Sequence, residues 1–499
     1  MEKYLYTPNT GEYNFTMAYP AKKEFALASL GYLWLYKQAD TLEGVRAFRL
    51  STDDINIGVK SADSLGFSLS FDFDFIGVLE ILDKLSIPFY SKDRGESAPI
   101  IFAGGPVVTT NPIPYEDIFD FVILGDGEDV FVKVLEILKL KLSKQKTIDK
   151  ISNIDGIYVK GKKAKRNTVK LENIIYTPIL SDEGYFSNTF ILELSRGCMN
   201  RCAFCTASYT NLPYRYNDYD EIIKTINFGL KHTNKIALLG AQISAHPNFN
   251  EIMQYLRQRI KNDNSIELGI SSLRTDAITP EIIQTLVMGK QKHSTIAIEA
   301  ASERLRKFIN KNIKQEQIID AVRISRENGL KGLKIYSMIG IPNETDEDIN
   351  EFLALADTLK SQNKGFNIEF SFSTFVPKPQ TPFQWSPRED TKSLEKKQHF
   401  LEKELRKLGV ESKFSSPKWD YWQTILSRGD ASITPLMIEV YKNGGKIGAY
   451  KSAGKSLNID IPKFINGFDF EETLPWDVIE YEPRKELLIN EYRRLEKFL

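Results

Sequence analysis

Cysteine and histidine are scarce in this chain. It has three cysteines and four histidines in 499 residues. So few cysteines exclude a disulfide framework and fit a reducing, cytoplasmic setting. A dominant charge is missing as well: Lys and Arg total 66, and Asp and Glu also total 66. That balance gives no global field to draw the chain to nucleic acid or an acidic membrane. Nor is there a run of about 18 apolar residues, so no transmembrane helix is expected. The N-terminus, Met1 to Pro8, lacks the apolar core of a signal peptide. What remains is 42% hydrophobic, ordinary for a protein with substantial cores. The length predicts two to four domains.

The cysteines all lie within eight residues, as Cys198-Met199-Asn200-Arg201-Cys202-Ala203-Phe204-Cys205. This spacing places three thiolates on one tight loop, and thiolates hold iron–sulfur clusters. On a 4Fe–4S cluster, three protein ligands leave one iron open for an exogenous ligand. Structural zinc usually takes four ligands in two paired clusters. No fourth cysteine exists, and no histidine lies between Phe186 and Lys231. Structural thiols would be scattered rather than clustered. Cys198, Cys202 and Cys205 are therefore the expected metal ligands of a single cluster.

Along the chain, strand-like and helix-like runs alternate. Strands are expected at Asn14–Pro20, Leu65–Ser70, Pro99–Pro106 and from Phe121, with helices at Phe25–Lys37, near Ile76–Leu85 and up to Leu140. Alternation of this kind predicts a parallel sheet covered on both faces. Residues 141–185 read as a basic hairpin linker. Its run of Lys160, Lys162, Lys163, Lys165, Arg166 and Lys170 is a solvated face in the plain reading and an RNA-contacting arm in the sharper one. From Phe190 the alternation grows more regular. Six strands, at 190–194, 235–239, 266–270, 295–299, 334–339 and 368–375, predict a (β/α)6 partial barrel with ligands at the carboxyl ends of its strands. Helices are expected at Asp220–Leu230, Pro280–Met288 and Asp346–Leu359. The cysteine loop follows the first barrel strand. The fold class is thus α/β: a Rossmann-like doubly wound sheet in 1–140, a partial TIM barrel in 186–388 and a small α-rich C-terminal module in 389–499, opening with a charged helix at Leu394–Leu408.

Specific motifs carry a family resemblance over nearly the whole chain. They are Leu194 to Cys198 with Cys202 to Cys205; Ser271-Ser272-Leu273-Arg274-Thr275-Asp276; Ile298 to Arg306; Lys334 to Pro342; and Phe375 to Trp385. Ala103-Gly104-Gly105-Pro106, Gly125-Asp126-Gly127-Glu128 and Leu474-Pro475-Trp476-Asp477 add to the set. Together they resemble radical S-adenosylmethionine proteins with an N-terminal cobalamin-binding-like domain. Gln380 departs from the pattern, standing where relatives usually have His.

The resemblance implies one 4Fe–4S cluster whose open iron chelates S-adenosylmethionine, and a 5′-deoxyadenosyl radical formed by reductive cleavage. It implies cofactor contacts from Phe204, from Gly240, Ala241 and Gln242 (in place of a Gly-Gly-Glu-like segment), and from Ser271, Arg274, Glu299, Arg306 and Val376. Arg306 has two readings: a fork for a carboxylate, or an internal partner of Glu299. Gly104 and Gly105 mark a crevice for a flat ligand, where cobalamin is the candidate. No histidine of that domain is available to coordinate cobalt. An electron donor such as flavodoxin or ferredoxin is implied, and RNA, protein or a small molecule are the substrate classes in view. A two-cluster methylthiotransferase needs three further cysteines, which the chain lacks. The competing class is a non-catalytic iron–sulfur sensor or interaction protein.

Overall fold

The computed structural model describes residues 1–55, 62–480 and 484–498. The first sheet has six strands: β1 (Gly11–Tyr19), β2 (Gly44–Ser51), β3 (Ser64–Ser68), β4 (Ile100–Gly104), β5 (Phe121–Ile123) and β6 (Ile157–Tyr158). Their spatial order is β2-β1-β3-β4-β5-β6, parallel except for β6. Such an order reverses direction between β1 and β3, and ligands of doubly wound sheets sit outside the carboxyl ends at that switch point.

Side-chain alternation along these strands builds two cores. Phe15, Met17, Phe102 and Phe121 face the helices Leu30–Asp40 and Glu128–Leu138. Leu65, Phe67, Ile101 and Ala103 face the opposite layer. β2 escapes the sequence reading because Arg46 and Arg49 interrupt its apolar residues, as befits a sheet edge. The expected helix at Phe25–Lys37 is two helices, Lys23–Ala26 and Leu30–Asp40, the second starting after Ser29 in extended conformation.

The second sheet system is the barrel. Strands β7 (Thr189–Glu193), β8 (Lys235–Leu239) and β9 (Glu267–Ile270) pair in parallel. A parallel bridge between Leu273 and Ile296 joins them to β10 (His293–Glu299), β11 (Gly332–Ile339), β12 (Asn367–Thr374) and β13 (Glu411–Phe414). The expected six-strand unit is present, with β13 as a seventh strand. β13 is Glu-Ser-Lys-Phe, too short and polar for periodicity to announce it. Outward residues such as Ile236, Ile296, Ile335 and Phe370 form the core beneath the helices. Inward positions in mid-barrel include Ala237, Gly269, Ala297 and Ser371, with Tyr336 and Lys413 lining the lumen beside them.

Two expectations about the connecting segments are corrected. Residues 141–185 are not a hairpin: helix Lys144–Ile151 comes first, β6 extends the first sheet, and Ala164–Lys165 pairs in parallel with Ile479–Glu480. The basic run is partly built in as well. Lys160 pairs with Asp117 at 2.6 Å. Arg166 is buried and donates to Gln380 Oε1 at 3.0 Å and to Tyr209 O at 3.1 Å. The C-terminal helices have no separate core: Trp422, Leu436, Tyr450 and Trp476 pack in one cluster with Phe75, Leu79 and Tyr115 of the first domain.

Candidate functional site

The cysteine loop begins where β7 ends. A two-residue antiparallel ladder, Ser195–Arg196 against Arg215–Tyr216, closes its base. Gly197 makes the turn into the loop with φ +83°, and a Cβ there would lie 2.4 Å from Asn211 O. Only glycine meets both conditions. The loop is then tied down from two barrel segments. Ala203 N donates to Ile309 O at 2.9 Å, and Phe383 N donates to Ala203 O at 3.2 Å. Asn310 Nδ2 donates to Asn200 O at 3.1 Å and Arg201 O at 2.9 Å.

Cys198 and Cys202 are buried, and Cys205 is partly exposed. Burial pushes the Cys202 thiol up to about 12; Lys311 pulls it down, while Cys205, Glu299 and Cys198 push it up. Burial likewise raises Cys205. Coordinated iron removes such a proton outright. Three thiolates on one zinc ion would sit roughly 3.8 Å apart, given a zinc–sulfur distance of about 2.3 Å. Among the described residues, no three Cys, His, Asp or Glu side chains gather tightly enough for one ion. Three thiols on one short loop suit a multi-iron cluster, where each sulfur takes a different iron.

The other expected cofactor contacts sit mostly at the same carboxyl rim. Gly240, Ala241 and Gln242 directly follow β8, and the Cys198 thiol donates to Gln242 Oε1 at 3.3 Å. Exposed Ser271 follows β9, and Arg274 is held by Asp276 at 2.7 Å. Val376 lies two residues beyond β12 and is half-buried. Phe204 is half-buried against Ala300, Leu305 and Phe308. Glu299 ends β10 at a register shift and has φ +67°. A left-handed, non-glycine backbone at a strand end is strained, and such strain gathers at functional sites.

Arg306 is a correction on both readings. It is fully buried, and its guanidinium donates to Ile313 O at 2.7 Å, to Ala300 O at 3.1 Å, to Ala301 O and to Gln315 Oε1 at 3.1 Å. It braces the turn that follows β10. Glu299 pairs instead with Lys311, Nζ to Oε1 at 3.1 Å. Burial pulls the Lys311 ammonium down, but Glu299 and the Cys202 sulfur pull it up by more. Lys311 sits in a loop twelve residues after Glu299, where no sequence pattern marks it. Arg306→Ala is expected to lower stability by about 3 kcal/mol, since it strands buried carbonyls. Thermal unfolding and cofactor titration check this: the midpoint should fall while S-adenosylmethionine affinity of the folded protein holds.

A crevice of about 380 Å³ lies between the first sheet and the cysteine loop. Met17, Gly66, Gly104, Gly105 and Phe102 form its sheet wall, and Glu193, Arg196 and Asn211 form the barrel wall. Gly105 has φ +107°, and a Cβ there would meet Leu69 O at 2.4 Å, so the backbone demands this glycine. Gly31, Gly104 and Gly127 are different. A Cβ would find nothing within 4 Å at Gly31, and nothing nearer than 3.7 Å at Gly104 and Gly127. Protein packing gives no reason for glycine at these three places; space for a ligand does. Across the crevice, Arg196 contacts Asp126 at 2.8 Å, Glu128 at 2.6 Å and Glu193 at 2.7 Å, and Arg215 contacts Asp126 at 2.5 Å. Burial raises Asp126, but the two guanidiniums outweigh it and hold the carboxyl below its usual range. Arg196 stands two residues before Cys198, so this network links the Gly-Asp-Gly-Glu turn directly to the cysteine loop.

A parallel β/α barrel with a three-cysteine loop after its first strand, joined to a doubly wound domain, defines a class of radical enzymes. Residues 36–160 match the model for the N-terminal region of radical SAM proteins, and residues 192–356 match that of the radical SAM superfamily. An uncharacterized protein of Methanocaldococcus jannaschii is 31% identical over 404 residues, covering 77% of this chain and 84% of that protein. An uncharacterized methyltransferase of Pyrococcus horikoshii is 24% identical over 344 residues, covering 63% of this chain and 72% of that protein. Among solved structures, the cobalamin-dependent S-adenosylmethionine radical enzyme OxsB with aqua-cobalamin and S-adenosylmethionine bound has the same fold, with TM-score 0.55, 14% identity and coverage of 99% of this chain and 80% of that one. The methyltransferase TsrM of Kitasatospora setae has TM-score 0.53 at 12% identity, covering 72% of this chain and 73% of that one. The chain belongs to the radical S-adenosylmethionine superfamily. It is a radical SAM enzyme with a 4Fe–4S cluster and S-adenosylmethionine as cofactors.

Proposed function

We propose that this is a one-cluster radical SAM enzyme that holds a corrinoid in the crevice and modifies an organic substrate, with methyl transfer as the favoured reaction. When bound, a 4Fe–4S cluster supplies the electron that cleaves the sulfonium of S-adenosylmethionine. The protein's own part is to hold and shield. Cys198, Cys202 and Cys205 anchor the metal, Gly240–Gln242 edge the rim, and Lys311, fixed by Glu299, offers a cation beside Cys202 for a carboxylate. The lumen below, about 500 Å³ between Glu299, Tyr336, Ser371, Ser373 and Ser415, is the space for the reacting group.

One observation carries the corrinoid reading: three crevice glycines that packing does not require. They follow or end β1, β4 and β5, on the carboxyl side of the sheet, where doubly wound sheets take ligands. No histidine is among the described residues that line it, so cobalt would carry no imidazole from this wall. Against a methylthiotransferase stands the cysteine count of three, which leaves no ligand for a second cluster. The described residues hold no helix long and apolar enough to cross a membrane. Reduced thiols support a cytoplasmic location, with a flavodoxin or ferredoxin as electron donor.

Gly104→Leu tests the reading better than Gly105→Leu, which would break the backbone as well. Wild-type protein reconstituted with hydroxocobalamin should retain it through gel filtration, with a spectrum lacking histidine ligation. Gly104→Leu should lose at least tenfold in affinity while keeping its iron. Wild-type protein that retains no corrinoid at any supplied concentration would refute the reading. Mass spectrometry of RNA and protein from a deletion strain against its parent would identify the substrate class.

A further inference from the structure

Arg428 is a buried guanidinium without a carboxylate. It ends the helix Pro417–Arg428 and is 0% exposed. Its Nη1 donates to Ser386 O at 3.0 Å, and the ring of Phe468 covers the guanidinium at 4.3 Å. Both contacts belong to one junction. Phe468 N donates to Trp385 O at 3.1 Å, and a Cβ on Gly467 would lie 2.6 Å from that same carbonyl oxygen. Nε and Nη2, by contrast, have no acceptor among the described residues. These two nitrogens form one edge of the planar fork, the edge that grips an anion with two parallel N–H groups.

A charge taken out of water needs a counter-charge, because only the attraction of a partner repays its desolvation. Burial pulls the Arg428 guanidinium down to about 9. Arginine keeps its proton in proteins, so relief has to come from outside the side chain. The helix end offers partial negative charge and Phe468 an aromatic face; both attract a cation, but neither fills the empty fork edge. The carboxylate of Glu472 does not fill it either: that residue is exposed, and its Oε2 accepts from Asp469 N at 2.9 Å. The flanking residues add donors rather than acceptors. Gln384 Nε2 and Trp385 Nε1 are buried without a partner among the described residues, as is the Ser386 hydroxyl. A trapped water could take an N–H, but it would bring no charge.

We propose that the Nε/Nη2 edge of Arg428 holds a small inorganic anion of the halide class, enclosed where the C-terminal helices meet the connection that follows β12. The enclosure sets the size: both nitrogens are sealed from solvent, so an anion with a bulky organic body is shut out. The anion's role is structural. It fastens the helix Pro417–Arg428 to the segment around Ser386. That segment follows Phe383, whose N–H holds Ala203 O of the cysteine loop at 3.2 Å. The ion takes no part in the radical chemistry, and the site stands independently of the corrinoid reading.

The test is thermal unfolding of the full chain at constant ionic strength, with gluconate replaced stepwise by chloride. The wild-type midpoint should rise and then saturate, gaining about 3 °C or more once chloride is far above its dissociation constant. Arg428→Met keeps the side chain's length and removes its charge, so its midpoint should ignore chloride. Bromide gives a reading that needs no variant. In wild-type crystals soaked in bromide, an anomalous peak should stand within hydrogen-bond distance of Arg428 Nε and Nη2. A wild-type midpoint indifferent to chloride overturns the proposal. So does a response of equal size in Arg428→Met, or a fork edge occupied by water alone in the bromide-soaked crystal. If Arg428→Met does not fold, the bromide peak decides by itself.

Discussion

Cys202→Ala is expected to leave the protein without its cluster. Cys202 is one of only three thiols in the chain, and it is buried. The chain holds no fourth cysteine to replace it. Iron content after anaerobic reconstitution should fall from about four per chain to near zero, and the broad iron–sulfur absorbance should vanish. The far-ultraviolet spectrum should barely change, because the loop's hydrogen bonds to Ile309, Asn310 and Phe383 come from backbone groups and from Asn310. Cys198→Ala and Cys205→Ala should behave alike. A wild type that binds about eight irons reproducibly would contradict the one-cluster reading.

Asp126→Ala is expected to damage both domains at once. Asp126 accepts from Arg196 and Arg215, and all three side chains are about one-tenth exposed. Removing the carboxylate leaves two guanidiniums facing each other in a poorly solvated seam. Breaking a buried ion pair from one side typically costs about 3–5 kcal/mol. Glu193 and Glu128 still neutralise Arg196, so the loss should fall toward the lower end. Arg215 also forms the base of the cysteine loop, so cluster loading should fall with stability. Asp126→Asn separates the two effects, since it keeps one acceptor and removes the charge. Iron content and the thermal midpoint, measured together on both variants, check this. Unaltered values in Asp126→Ala would show that the seam plays no part in holding the loop.

Most barrel strands were legible because their outward residues are β-branched or aromatic and their flanks carry turn residues. Lys235–Leu239 and Pro280–Met288 coincide with the expected spans. β2 and β13 were not legible. Their charged residues break the apolar period, and only pairing with β1 and β12 gives them strand form. Arg306 shows the limit of motif reasoning. Its place in the fourth-strand signature suggests a ligand contact, but the helix Glu303–Phe308 turns its side chain inward to cap Ala300, Ala301 and Ile313 carbonyls. Gln380, noticed only as a departure, proves to be a buried clasp: its amide donates to Thr109 O at 2.7 Å and Thr110 O at 2.9 Å.

The sequence by itself determined the metal chemistry. Three cysteines in eight residues, and none elsewhere, are a local spacing that points to an iron–sulfur cluster. It also determined the strand–helix alternation, because hydrophobic period is a local property. Tertiary structure decided what lies across from what. It set Lys311 against Glu299 and joined Arg196 to Asp126 across 70 residues. It also merged the C-terminal helices into the first domain's core. These are long-range pairings of common residue types. Their meaning comes from burial and neighbours, and a linear pattern carries neither.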